Sequence, residues 1–266
     1  MQFVRLNAVT LHYRLHGDPA QKPLIVLINS LGTDLRLWDY MIPYLAEHFS
    51  FLTYDKRGHG LSDLGETPQS IDDHADDLIA LLDHLSLKPA FVCGLSVGGL
   101  IAHALWARRP DLVPGLVLSN TASKIGTQQS WNERISLLNR EGIAGLVDVT
   151  MERWFTAAFR RPDNAVIAGL SNMLVRQSLK GYVATCAAIR DADYRDVAPT
   201  ITVPVLCLVG DEDSSTPPEV VKETANAIPG AAFTVIAGAG HIPCVERPEF
   251  YAGLLVDFAK RHDLAG

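Results

Sequence analysis

The pattern G-x-S-x-G at residues 94–98 places one serine, Ser96, between two glycines. The apolar run at residues 91–93 predicts a buried strand before it, and the apolar spacing after it predicts a helix. A serine at such a strand-to-helix turn projects its hydroxyl out of the sheet, and the helix N-terminus can stabilise an oxyanion beside it. The pattern therefore predicts a nucleophile for acyl transfer. The alternative is a glycine-rich corner without chemistry.

A serine hydroxyl is a weak nucleophile at neutral pH, so it needs a base within hydrogen-bond reach. In proteins with this turn, the serine is followed along the chain by an acid and then by a histidine. His241 ends a glycine-rich loop, residues 237–241, that directly follows a predicted strand. His262 also comes late enough, but it lies in the charged C-terminal tail and is expected to be solvated. We therefore predict that His241 is the base.

Three carboxylates follow the predicted strand at residues 205–209 and could orient the imidazole. Asp213 is favoured because it lies deepest in the loop, ahead of the rigid sequence T-P-P at residues 216–218. Asp211 is expected to form the turn, and Glu212 is expected to be solvated. The residue types alone leave open which of the three faces the histidine, and Asp213 is our prediction.

An acyl-transfer site also needs two backbone N–H groups that bind the oxyanion. One comes from the residue after the nucleophile, Val97, and the other from the loop after the first buried strand. That strand is predicted at residues 24–28, and Leu31 is the candidate in the loop that follows. For this loop the alternative is an ordinary turn.

Strand and helix patterns alternate along most of the chain. Continuous apolar runs predict strands at residues 24–28, 51–54, 91–93, 115–119, 203–209 and 232–236. Such runs are typical of strands buried on both faces of a parallel sheet. The alternation predicts an α/β fold with a mostly parallel central sheet flanked by helices.

The alternation stops near residue 121 and resumes near residue 194. Residues 122–193 show only helical patterns, which predicts a helical cap inserted into a core made of residues 1–121 and 194–266. The cap segment holds nine basic and seven acidic residues, whereas the core holds 14 and 23. The net charge is therefore +2 on the cap and −9 on the core, so positive charge falls on the part predicted to cover the site.

One predicted helix of the core is strongly acidic. Ser70 is its expected N-cap, with Asp73 completing a capping box. Its other aspartates, among them Asp76 and Asp77, fall mostly off the apolar stripe. A solvated face is therefore expected for them.

Composition excludes several classes of function. The 266 residues carry a formal net charge of −7 without a long basic run, so nucleic acid is not expected as a partner. The four cysteines are scattered and are expected to be buried thiols rather than metal ligands. No apolar stretch approaches the ~20 residues of a membrane span. The N-terminal residues lack a signal-peptide pattern, so we expect a cytoplasmic protein.

Two levels of resemblance follow from these motifs. Ser96, Asp213 and His241, with the turn D-x-R-G-H-G-x-S-D at residues 55–63, resemble the α/β-hydrolase superfamily over the whole chain. A closer similarity is to the 3-oxoadipate enol-lactonases of aromatic-acid breakdown. It rests on N-S-L-G-T at residues 29–33 with W-D at 38–39, on W-F at 154–155, and on C-A-A-I-R-D-A-D at 186–193. Val97 stands where that family often has methionine, and only its N–H is expected to act.

The resemblance implies a small anionic substrate, a five-membered enol lactone with a free acetate arm, opened through an acyl-enzyme on Ser96 without metal or cofactor. A net-negative enzyme that binds an anion should supply a local cation. Trp131 and Arg134 are three residues apart on a predicted helix and share a face. Arg134 is our first choice for the substrate carboxylate and Arg190 the second; for each, the alternative is a surface arginine paired with an acid. Trp154 is a further substrate-binding candidate, through the resemblance.

Two other functions stay open at this point. The first is another hydrolase on the same scaffold: a carboxylesterase, a C–C bond hydrolase or a cofactor-free perhydrolase. The second is a non-catalytic binding protein that keeps the fold, because a fold alone does not fix function. The presence of a serine, an acid and a histidine in the expected order counts against the second.

Overall fold

Eight strands form one sheet in residues 1–87 and 89–264, the part of the chain that this computed structural model describes. They are β1 (Gln2–Leu6), β2 (Val9–His16), β3 (Leu24–Ile28), β4 (Ser50–Tyr54), β5 (Phe91–Leu95), β6 (Leu116–Ser119), β7 (Val205–Gly210) and β8 (Ala232–Ile236). Their order across the sheet is β1-β2-β4-β3-β5-β6-β7-β8. β1 with β2 and β2 with β4 pair antiparallel, and the remaining neighbours are parallel. The predicted mostly parallel sheet is confirmed.

The central strands are buried along their whole length. Every residue of β3, β5, β6 and β7 is buried, which explains why their sequences are continuous apolar runs. The edge strand β1 is mostly exposed. The carboxyl ends of parallel strands meet at one edge of a sheet, and the loops that follow them are where ligands bind in open α/β folds.

Helices connect the strands. In chain order they are α1 (Ile42–Leu45), α2 (Ile71–His84), α3 (Val97–Arg108), α4 (Gln128–Glu141), α5 (Val147–Trp154), α6 (Ala165–Val175), α7 (Leu179–Asp191), α8 (Pro218–Ala227), α9 (Pro243–Glu246) and α10 (Pro248–Arg261). Short 3₁₀ helices lie at Leu35–Tyr40, Pro110–Leu112, Ala144–Leu146 and Ala198–Thr200. The capping box of α2 is present: Ser70 N donates to Asp73 Oδ2 at 2.7 Å, and Asp73 N donates to Ser70 Oγ at 3.1 Å.

The expectation of a solvated acidic face on α2 is wrong at one position. Asp77 is fully buried and accepts two hydrogen bonds from Arg57, from Nε at 2.6 Å and from Nη2 at 2.7 Å. Arg57 belongs to the turn at residues 55–63, so a distant segment supplies the buried partner that a buried carboxylate requires. Asp76 is half-exposed, in keeping with the expectation, and pairs with Arg108 at 2.7 Å.

Between β6 and β7 the described chain consists of helices α4 to α7, the 3₁₀ helices Ala144–Leu146 and Ala198–Thr200, and loops. Helix α7 contacts the turn at residues 55–63 backbone against backbone: a Cβ added to Gly181 would lie 2.1 Å from Gly58 O. Nearby, Gly60 N donates to Gln177 Oε1 at 2.9 Å. These contacts seat the segment on the core, and its description as a cap over residues 122–193 stays our proposal.

The four cysteines, Cys93, Cys186, Cys207 and Cys244, are buried free thiols, as predicted. Burial raises the pKa of Cys207 to about 12, so its thiol stays protonated at neutral pH. Of the helices in residues 1–87 and 89–264, none has the length and apolar character needed to cross a bilayer.

Candidate active site

The turn that carries Ser96 is strained. Ser96 joins the end of β5 to the start of α3 with φ 58° and ψ −117°, a left-handed region that non-glycine residues rarely adopt. Its N–H donates to Ser119 O at 2.9 Å, and Thr121 Oγ1 donates to Ser96 O at 2.6 Å. Contacts with the end of β6 thus hold both peptide groups of Ser96. Backbone strain held in place by its surroundings is typical of functional sites.

The two glycines of the motif leave no room for a side chain. A Cβ on Gly94 would lie 2.3 Å from Gly98 O, and a Cβ on Gly98 would lie 2.2 Å from Ile28 O. Both obstructing atoms are backbone oxygens that cannot rotate away. The first turn of α3 therefore packs directly against β5 and β3, which fixes where the serine hydroxyl emerges.

His241 and Asp213 are paired at the same edge of the sheet. His241 Nδ1 lies 2.8 Å from Asp213 Oδ2, and both side chains are buried. A carboxylate can only accept a hydrogen bond, so His241 Nδ1 carries the proton and Nε2 presents its lone pair. That is the tautomer a general base requires.

Five donors from the described residues hold the Asp213 carboxylate. Besides the histidine, Oδ2 accepts from Asn120 Nδ2 at 2.9 Å and from Thr216 Oγ1 at 2.8 Å. Oδ1 accepts from the N–H groups of Ser215 at 2.8 Å and Thr216 at 3.1 Å. Burial alone would raise the pKa of Asp213, but the His241 interaction and these donors outweigh it, so that pKa lies below its usual value. Above that pKa the group is a carboxylate, the form that can stabilise a protonated imidazole.

The other two acids of this loop face elsewhere. Asp211 and Glu212 are exposed, and Asp211 Oδ1 accepts a backbone hydrogen bond from Ala239 N at 3.2 Å. The structure therefore places Asp213, and neither neighbour, against the imidazole. Asn120 is a site residue that the sequence analysis missed. It directly follows β6, the strand between those that lead to Ser96 and Asp213, and that position was the available signal.

The two predicted oxyanion donors are the backbone N–H groups of Leu31 and Val97. The N–H groups of Leu31 and Val97 donate to no backbone or side-chain group in the part of the chain that the structure describes. Both N–H groups belong to segments that border Ser96: Val97 is the next residue, and Leu31 lines the same cavity. Two free donors beside a serine hydroxyl are what a tetrahedral oxyanion needs.

A cavity of about 420 Å³ joins the candidate catalytic side chains to helices α4, α5 and α7. Its wall includes the predicted residues Ser96, His241, Leu31, Trp131, Arg134 and Trp154. Trp131 is fixed by its Nε1–H, which donates to Ile125 O at 2.7 Å. The volume suits a small ligand.

Arg134 lies half-buried in this wall. Its Nη2 donates to Tyr182 Oη, and its guanidinium carbon lies 5.6 Å from the centre of the Tyr182 ring. Its Nε is buried and donates to no group in the described residues. No carboxylate of these residues lies within 4.0 Å of its charged nitrogens. This guanidinium is thus positioned to bind an anion in the cavity.

Arg153, at the end of α5, also lines the cavity, and sequence analysis did not identify it. Within residues 1–87 and 89–264 it makes neither a hydrogen bond nor an ion pair. Burial and the neighbouring charge of Arg134 lower its pKa. Two cations therefore share one wall of the cavity.

Arg190, our second choice for the substrate carboxylate, is not part of the cavity wall. Its Nε and Nη2 donate to the Asp191 carboxylate at 2.8 and 2.7 Å, and its Nη1 donates to Asn132 Oδ1 at 2.8 Å. The structure thus places Arg190 at the surface with an acid beside it. Arg190 is therefore a surface arginine paired with an acid, which was the alternative to a substrate-binding role.

The sheet order and the site at its carboxyl edge define a class of protein. The chain belongs to the α/β-hydrolase-fold family, which it matches over residues 23–248. It is a hydrolase of that family.

Among its relatives are enol-lactonases. The chain is 35% identical to 3-oxoadipate enol-lactonase 2 of Acinetobacter baylyi, over 91% of this chain and 90% of the relative. It is 32% identical to 3-oxoadipate enol-lactonase 1 of the same organism, over 94% and 93%. The crystal structure of the enol-lactonase from Burkholderia xenovorans LB400 superposes with a TM-score of 0.94 at 38% identity, over 97% of this chain and all of that chain. The resemblance that the motifs indicated is confirmed.

Proposed function

We propose that this chain opens the ring of 3-oxoadipate enol lactone to give 3-oxoadipate, through an acyl-enzyme on Ser96. One observation carries the proposal: the cavity that contains Ser96 and His241 also contains two arginines without carboxylate partners among the described residues. The arrangement fits an ester that also bears a carboxylate. The names of the relatives agree with this chemistry.

The first half of the reaction forms the acyl-enzyme. His241 Nε2 takes the proton of Ser96 Oγ, and Oγ attacks the lactone carbonyl carbon. The Leu31 and Val97 N–H groups bind the oxyanion. The ring C–O bond then breaks, and its electron pair leaves on the ring oxygen as an enolate. The proton held by His241 neutralises that enolate, which becomes a ketone.

The second half releases the product. Ring opening leaves the former leaving group attached to the acyl chain, so the whole substrate stays on Ser96. Water gives a proton to His241 Nε2 and attacks the ester carbonyl. Collapse of the second tetrahedral intermediate breaks the bond to Ser96 Oγ, which recovers its proton from His241, and 3-oxoadipate leaves.

The substrate carboxylate is proposed to lie against Arg134 and Arg153. Arg134 is half-buried and no carboxylate of the described residues lies within 4.0 Å of its charged nitrogens, so an anion in the cavity would pair with a charge that these residues leave unpaired. A charged hydrogen bond in such a site contributes about 1.5–3 kcal/mol. Arg153 is more exposed, so its contribution should be smaller and more sensitive to salt.

Arg134→Gln should raise KM for the lactone about 10- to 100-fold, and KM for a neutral aryl ester less than about threefold. Arg153→Gln should also raise the KM for the lactone relative to the KM for the neutral ester, by a smaller factor. The matched control is Arg161→Gln, an exposed arginine of the same segment whose neighbour is Asp163 at 3.6 Å. Equal effects of Arg134→Gln on both substrates would remove this arginine from the binding site.

The substrate itself is tested with a panel measured on the wild-type protein. We expect kcat/KM for the enol lactone to exceed that for simple aryl esters and for vinylogous diketones by at least about 100-fold, since a carboxylate contact and a stable enolate leaving group both favour the lactone. An aryl ester turned over better than the lactone would assign a carboxylesterase. A diketone turned over best would assign a C–C bond hydrolase.

A further inference from the structure

A buried lysine lies behind the loop that carries the first oxyanion donor. Lys56 is 1% exposed and follows β4 in the turn at residues 55–63. Its Nζ donates to Ser30 O at 2.6 Å and lies 3.5 Å from Thr33 O. Ser30 O also accepts from Thr33 Oγ1 at 2.9 Å. The proposed steps of the reaction do not use Lys56, and a lysine is almost never fully buried unless its charged group is paired.

The carbonyl that Lys56 contacts belongs to the oxyanion peptide itself. Ser30 C=O and Leu31 N–H are the two ends of one peptide group, and in a trans peptide they point in opposite directions. Since the amine holds the oxygen from one side, the N–H is directed to the other. Ser30 and Leu31 both line the cavity that contains Ser96.

The next peptide group, between Leu31 and Gly32, is held by a histidine of the same turn. Gly32 N donates to His59 Nε2 at 3.1 Å, so this N–H is turned away from the cavity and is not available to substrate. Burial first, and then the charge of Lys56, lower the pKa of His59 well below its usual value, so the ring stays neutral and can accept. The turn at residues 55–63 thus contributes one side chain to each of two successive peptides of this loop.

We propose that Lys56 is a positioning residue for hydrolysis: its ammonium group orients and polarises the Ser30–Leu31 peptide so that the Leu31 N–H binds the oxyanion more strongly. Hydrogen bonds in a chain strengthen one another, and a charged donor strengthens the effect. The inference rests on the proposed acyl transfer at Ser96, and it does not depend on which ester is the substrate.

The charges around Lys56 allow a test that depends on pH. Burial lowers the pKa of Lys56 to about 7, against the opposing influence of Asp55 and Asp34. The other titratable groups that face it are His59 and His74, whose pKa values burial also lowers, that of His74 to about 3. Burial thus biases both imidazoles towards the neutral form. Lys56 therefore loses its charge as the pH rises through about 7.

The test compares Lys56→Met and Lys56→Gln with wild type, using an aryl ester and the lactone at pH 6.0 and at pH 8.5. Removal of a whole oxyanion donor costs about 100- to 1,000-fold in kcat, so loss of its polarisation should lower kcat at pH 6.0 by about 10- to 50-fold while KM changes less than about twofold. The affinity of the Lys56 variants for a tetrahedral boronate should fall in parallel with kcat, whereas their affinity for the product 3-oxoadipate should not fall. The matched control is Lys22→Met, which removes a lysine that donates to Ala46 O at 2.7 Å away from the site.

At pH 8.5 the ratio of wild-type to Lys56→Met activity should shrink severalfold, because the wild-type amine is then mostly neutral. If the ratio of wild-type to Lys56→Met activity does not depend on pH, Lys56 has only a structural role. The same conclusion follows if the variant loses affinity for the boronate and for 3-oxoadipate to the same extent. Lys56→Gln keeps a neutral donor. If Lys56→Met fails to fold, the ratio of wild-type to Lys56→Gln activity at the two pH values provides the test instead. Turnover of the aryl ester without turnover of the lactone would contradict the proposed substrate and leave the test of Lys56 intact.

Discussion

Replacing Asp213 by asparagine should lower kcat by about four orders of magnitude without unfolding the protein. The carboxylate accepts five hydrogen bonds, and its position is set by backbone N–H groups at Oδ1. An asparagine oxygen would stay on those donors, which turns the amide NH₂ toward His241. The imidazole must then accept at Nδ1 and carry its proton at Nε2, so the lone pair that removes the Ser96 proton is lost.

Asp211→Asn is the matched control for this variant. Asp211 lies two residues earlier in the same loop, is exposed, and accepts one hydrogen bond from Ala239 N at 3.2 Å. Its kcat should stay within about twofold of wild type, since surface substitutions away from special features have small effects. Initial rates over pH 5–9, with circular dichroism to check folding, make the measurement. The reverse ranking of the two variants would move the orienting acid to Asp211.

Gly98→Ala should destabilise the turn at Ser96 strongly. The added Cβ would lie 2.2 Å from Ile28 O, so either α3 or the end of β3 must move. Overpacking against rigid backbone costs about 3 kcal/mol, which for a chain of this size lowers Tm by roughly 6–12 °C. Activity should fall as well, because α3 carries Val97 and the loop after β3 carries Leu31.

Gly169→Ala provides the comparison. Gly169 lies in α6, is exposed, and has no atom within 4 Å of an added Cβ in the described structure. Alanine is a better helix former than glycine by about 0.8–1.0 kcal/mol, so Tm should stay the same or rise slightly. Calorimetry on the two variants measures the difference. An unchanged Tm for Gly98→Ala would contradict the close packing of the first turn of α3 against Ile28 O.

Local patterns were enough to predict the parts of the site that depend on strand ends. The serine turn and the acid loop directly follow the buried strands β5 and β7, and the histidine loop follows the edge strand β8, of whose residues only Ile236 is buried. Parallel strands bring such loops to one edge of the sheet. The same logic could have found Asn120, because it directly follows β6. It was missed because an asparagine between a strand and a loop resembles any turn residue.

Side chains whose roles depend on distant partners could not be predicted in this way. Asp77 looked solvated because its partner, Arg57, comes from another segment. Arg190 was expected in the binding site, but Arg153 lines the cavity and Arg190 does not. The reason is related: the phase of a helix shows which residues share a face, but not which face lines a cavity. Arg190 has an acid next to it in sequence, and that neighbour was the better guide.

The central claim is that Ser96 carries the acyl group, and acid quenching during steady-state turnover of the lactone tests it most directly. Because ring opening does not release the leaving group, the intact protein should gain the full mass of the lactone, and peptide mapping should place it on Ser96. The Ser96→Ala variant should show no adduct and no turnover above background. An adduct on another residue, or a Ser96→Ala variant that still opens the lactone at the wild-type rate, would contradict the mechanism.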